Sequence, residues 1–144
     1  MNPDQLDLAR RLAAHPRFEW RAGMRAMYDP APYCHGADRI DEDGWRPEHC
    51  DYIALPNGWP DAKRAAWPDL TDAATGGVLL DVLGPGRCVV RDRWLEDGKR
   101  DEWTVGRGNH GGSGTTLAEA CARVLLAEWA ATPATPETTG RGGA

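Results

Sequence analysis

The sequence predicts an α/β fold of the α+β kind: a small antiparallel sheet with a central β-hairpin, sandwiched by two or three helices. Three observations predict it. Capped stretches at both ends of the chain repeat apolar residues at helical spacing. A third apolar run, at 71–83, stops at Gly84-Pro85-Gly86. Two alternating segments then flank Asp97-Gly98, a dipeptide preferred in two-residue hairpins.

The first helix opens with Asn2 as cap, Pro3 in the first turn and Gln5 at the third helical position. Leu6, Ala9, Leu12 and Ala13 recur at helical spacing, and His15-Pro16 ends the run because the residue before proline avoids the helical region. Phe18, Trp20, Met24, Ala26 and Tyr28 mark an extended segment within 18–28. Residues 29–67 are proline-rich, with little periodicity. Trp45, Tyr52, Ile53, Leu55, Trp59 and Trp67 imply that this irregular excursion packs, because a structureless loop of that length is unusual inside a domain.

A second helix follows at 71–83, with Asp69, Thr71 or Asp72 as cap and Ala74, Val78 and Val82 in line, Leu79 and Leu83 beside them. In the hairpin at 88–105, Cys88, Val90, Asp92 and Trp94 share one face. If Asp97-Gly98 is the turn, Val90 lies opposite Val105, Asp92 opposite Trp103 and Trp94 opposite Asp101, with Trp103 largely buried. Residues 106–114 read as a glycine-rich link. Thr116 to Glu119 form a capping box that opens the last helix, near 116–130. Leu117, Ala120, Cys121, Val124 and Leu125 line its buried face, widened by Leu126 and Trp129, with a Glu119–Arg123 pair outside. The tail at 132–144 reads as disordered. The chain is then one domain at 1–131, able to bury about 70% of its unfolded surface.

Composition narrows the function classes. A formal net charge of −5 argues against nucleic acid as a partner. The N-terminus lacks the basic and apolar regions of a secretory signal, and no stretch has the apolar length of a membrane span. The 4 cysteines of a chain kept inside the cell are expected as thiols.

The segment Leu12-Ala13-Ala14-His15-Pro16-Arg17-Phe18-Glu19-Trp20-Arg21-Ala22-Gly23-Met24-Arg25 resembles openings of phage hypothetical proteins. Pro68-Asp69-Leu70-Thr71-Asp72, the Trp94 hairpin and the Thr116-Leu117-Ala118-Glu119 helix resemble small phage proteins of the ABA-sandwich type, in which a sheet lies between helical layers. The resemblance covers residues 1–28 and 68–131. Gly76-Gly77 departs from it, and 29–67 has no counterpart. It implies a phage or prophage origin, a bacterial cytoplasm as the working place, and no assigned chemistry, so no catalytic residue is transferred.

Cys34, His35, His49 and Cys50 have the chemistry of a zinc site. Against it, neighbours in extended chain point to opposite sides, and the usual ligand spacings are absent. Small packing cysteines are the plainer account. Residues 106–111 match Gly-x-Gly-x-x-Gly, but the strand before them belongs to a hairpin, so a nucleotide or other small ligand at the 106–114 loop is an alternative set against a connector. His110 beside Ser113 has no third group to orient it, and no catalytic residue is assigned. The expected activity is non-enzymatic: binding of a host or phage protein, or self-association, with inhibition of a host defence system as one such task. Asp41, Glu42, Asp43, Trp45 and Trp59 are the expected contact residues, because loops on a scaffold carry binding and Trp anchors interfaces.

Overall fold

The structure, a computed structural model, describes residues 1–28, 37–40, 42, 66–93 and 101–132. These form an α+β fold of helices and two antiparallel sheets. Helix α1 spans Pro3–Ala14 and starts on the expected Asn2 cap, which Gln5 completes as a capping box: Gln5 N–H donates to Asn2 Oδ1 at 2.8 Å, and Asn2 N–H donates to Gln5 Oε1 at 3.0 Å. Strands β1 (Arg25–Tyr28), β2 (Ala37–Arg39) and β3 (Ala66–Pro68) make the first sheet, ordered β2-β1-β3. Helix α2 spans Ala73–Leu83 with Asp72 as its cap. Strands β4 (Arg87–Arg93), β5 (Asp101–Arg107) and β6 (His110–Gly114) make the second sheet, ordered β4-β5-β6, and α3 (Leu117–Ala131) follows. Among the described residues no helix is long and apolar enough to cross a membrane.

The core gathers around α3. Ala118, Ala120, Cys121, Ala122, Val124 and Leu125 are buried on it, and α3 packs on β5 and β6, on α2 and on α1. Leu8, Ala9 and Leu12 bury the inner stripe of α1, which also packs on β3. The Trp67 indole of β3 is buried under the Arg10 guanidinium, 4.6 Å from its ring centre, and its Nε1 has no hydrogen-bond partner among the described residues.

Several expectations change at the level of register. The buried stripe of α2 is Thr75, Gly76, Leu79 and Leu83: Leu79 and Leu83 are buried, as the apolar run implies, while Val78 and Val82 of the expected line lie at its margin and Ala74 is exposed. In the hairpin, Val89 pairs with Val105, Val90 with Thr104 and Arg91 with Trp103. This is one residue off the pairing an Asp97-Gly98 turn requires; residues 94–100 lie outside the described residues. A one-residue slip exchanges faces, so Val89 and Arg91, not Val90 and Asp92, share the face of Val105 and Trp103. Trp103 is partly buried rather than enclosed. The expected link at 106–114 is largely strand: β5 turns through Gly108-Asn109 into β6, with Arg107 opposite His110. Gly108 sits at φ +62°, a conformation glycine adopts without a side-chain clash. With β6 present, β5 becomes the centre of its sheet, and among the described residues no strand pairs with the outer side of β4.

Beside α3 the glycines of β6 have a packing role. A Cβ on Gly112 would stand 2.8 Å from the Ala120 carbonyl oxygen and 2.7 Å from the Arg123 Cβ; on Gly114 it would stand 2.6 Å from Glu119 side-chain atoms. The helix rests on bare strand backbone there, the close approach that strand glycines permit.

Candidate functional site

Three polar clusters tie the elements together. At the start of α3, the Thr116 side chain accepts from Glu119 N–H at 3.1 Å and donates to the Leu70 carbonyl. Glu119 is itself buried, so its pair with Arg123, at 2.9 Å, is not the exterior pair expected from spacing. Its carboxylate also accepts from Gln5 Nε2 at 3.0 Å and from Thr115 N–H at 3.1 Å. Burial pushes this carboxyl up, but the bonds from Arg123, Gln5 and Thr115 outweigh burial and hold it below its ordinary value. A shallow cleft of about 660 Å³ opens beside it, lined by Asp101, Glu102, Ser113, Gly114, Thr115, Glu119 and Arg123.

The second cluster joins the first sheet to α2. Asp72 receives Arg39 at 2.7 and 2.9 Å and caps Thr75 N–H at 2.8 Å. The Arg39 guanidinium is the main cause that holds the Asp72 carboxyl at about 2. Thr75 Oγ1 accepts from Arg25 N–H at 2.8 Å, and Arg25 reaches Asp69 at 3.3 Å. In the third cluster, Arg107 holds Glu128 at 3.0 and 3.1 Å and donates through Nε to the Pro85 carbonyl at 2.9 Å. His110, Gly108 and Thr132 share a second cleft, of about 460 Å³, with that pair. In all three clusters the carboxylates are held by donors from other elements, which suits them to fix geometry.

The strand β4 is different. Every residue from Arg87 to Arg93 is exposed, and among the described residues β5 is its only neighbour in the sheet. Alternation divides it: Arg87, Val89, Arg91 and Arg93 face the α3 side, while Cys88, Val90 and Asp92 face away. Val89 and Val90 are 37% and 47% exposed, an unusual state for strand valines. Arg91 lies 4.9 Å from the Trp103 ring centre and donates to both Asp101 oxygens at 2.9 Å; Arg93 stands 4.0 Å from Asp101. The arrangement presents apolar and cationic side chains along an open backbone edge.

Of the residues expected to bind a partner, Glu42 is exposed in a turn. Asp41, Asp43, Trp45 and Trp59 lie outside the described residues, as do Cys34, His35, His49 and Cys50, the expected zinc ligands. Among the described residues no cluster of His, Cys, Asp and Glu forms a metal site. Cys88 is exposed, and Cys121 is buried, its thiol pushed up to about 12 by burial. The expected ligand loop at 106–114 is a hairpin whose backbone pairs within the sheet, so it does not form a strand-to-helix phosphate loop. Alternation puts His110 and Ser113 on opposite faces of β6. The open edge went unseen because the sequence reading set the hairpin at the centre of the sheet; Gly108-Asn109, a hairpin dipeptide, was the signal that the further strand, β6, pairs with β5. No family model, no curated protein and no solved structure matches the chain.

Proposed function

We propose that this chain is a non-enzymatic accessory protein of phage or prophage origin that acts by binding another protein, with inhibition of a bacterial defence system as the task the binding serves. The observation that carries the interaction reading is β4, an exposed edge strand of 7 residues with valines on both of its faces. Such an edge offers unpaired backbone donors and acceptors to an incoming chain, and proteins normally shorten or cover it. The phage origin rests on the sequence resemblance at 1–28 and 68–131 alone.

The test is affinity capture. The tagged chain is incubated with lysates of uninfected and phage-infected bacteria, and bound proteins are quantified by mass spectrometry. The expected result is a host or phage protein in stoichiometric amount, or a stable homo-oligomer by sedimentation. Recovery of neither overturns the reading.

A further inference from the structure

We infer that the outer edge of β4 receives an extended acidic segment of the partner protein as an added antiparallel strand. This rests on the interaction reading above and names the chemistry of what binds. Among the described residues no strand pairs with the outer edge of β4, which ends the β4-β5-β6 order and is exposed along its whole length. The side chains then select the occupant. Helix α3 packs over β5 and β6, and the α3-side residues of β4 remain exposed beyond it. Arg87, Arg91 and Arg93 therefore form a cationic row beside the open edge. Asp101 of β5 binds Arg91 and approaches Arg93, which aligns those two guanidiniums without matching the charge of the row. A strand laid along β4 meets this row on one face and Val90 on the other. The complement is a segment that alternates acids toward the arginines with apolar residues toward Val90.

A second copy of this chain is the rival occupant, and its own charges oppose it. Symmetric antiparallel pairing about Val89 sets Arg87 against Arg91. Pairing about Val90 sets Arg87 against Arg93, and pairing about Arg91 sets that residue against itself. Like charges directly opposite across strands are destabilising.

The experiment titrates the isotope-labelled full chain with three end-blocked peptides that match β4 in length. One alternates Glu and Val, one alternates Lys and Val, and one is the Glu–Val peptide with a central proline, which cannot complete a strand ladder. The Glu–Val peptide is expected to shift amide signals concentrated at 87–93. The other two are expected to bind roughly tenfold more weakly or worse, and added salt to weaken the Glu–Val complex. In Arg87→Glu/Arg93→Glu the preference reverses toward the Lys–Val peptide; Arg91 is left in place because it stacks on Trp103. Equal binding of the Glu and Lys peptides overturns the inference, as do shifts centred elsewhere or a folded reversal variant with unchanged preference. Should the reversal variant fail to fold, Arg87→Gln/Arg93→Gln replaces it: a severalfold loss of Glu–Val affinity supports the inference, and unchanged affinity overturns it. A captured partner that binds wild type and the folded charge variant alike defeats this inference and leaves the interaction reading standing. Peptide binding as expected, with no partner and no oligomer found, defeats only the interaction reading.

Discussion

Asp72 shows how one side chain joins local and long-range structure. It caps α2 through Thr75 and pairs with Arg39 across the chain. Its carboxyl titrates near 2 in the folded protein instead of its ordinary 3.8. A lowered folded-state pKa means stability that is present above the ordinary value and lost as pH falls from 3.8 through about 2. Arg39 is 47% exposed, so solvent screening discounts the shift, and the pair contributes about 1 kcal/mol. Asp72→Asn isolates this term, because Asn caps a helix nearly as well as Asp. The variant is expected to lose about 1 kcal/mol in urea unfolding at neutral pH and to approach wild-type stability near pH ~2. An equal deficit at both pH values would mean that capping geometry, and not charge, carries the effect.

At the scale of elements, neighbouring glycines of β6 make a controlled pair. Gly112 faces α3, where a Cβ would collide with the Ala120 carbonyl, while Gly111 faces away with the nearest atom at an ordinary 3.7 Å. Gly112→Ala is expected to cost about 1–3 kcal/mol as overpacking, and Gly111→Ala to stay within about 0.5 kcal/mol of wild type, both by denaturant unfolding. Equal effects would mean that β6 does not seat α3. The same strand explains what the sequence concealed. The starts of α1 and α3 were legible because Asn2, Gln5 and Thr116 carry capping chemistry that acts locally. β6 was not, because Gly111, Gly112 and Gly114 supply no apolar alternation; their value lies in the helix above them, a tertiary fact. Setting the hairpin at the centre of the sheet also hid the candidate site, since β4 offers an edge only where no strand pairs on its outer side. The existence of β4 was legible from its alternation. Its facing was not, because a one-residue difference in register moves Val89 and Arg91 to the face assigned to Val90 and Asp92.

For the whole molecule, the charge distribution bears on which assemblies form. The chain has a net charge of −5, yet Arg87, Arg91 and Arg93 share one face of one exposed edge. Charged residues on an edge strand are a known guard against edge-to-edge association, and symmetric pairing of β4 with itself about Val89, Val90 or Arg91 brings arginine against arginine. The guard is removable. Arg87→Thr/Arg93→Thr keeps strand propensity and preserves the Arg91–Asp101 pair and its stack on Trp103. It also leaves Val89 and Val90 at the edge, ready to pair across a two-fold axis. Sedimentation equilibrium at matched concentrations is expected to show stronger self-association for this variant than for wild type, with new protection of the 87–93 amides in hydrogen exchange. Added salt should narrow the difference by screening the arginines of the wild type. A variant that self-associates no more than wild type would show that the geometry of the edge, rather than its charge, keeps two copies apart.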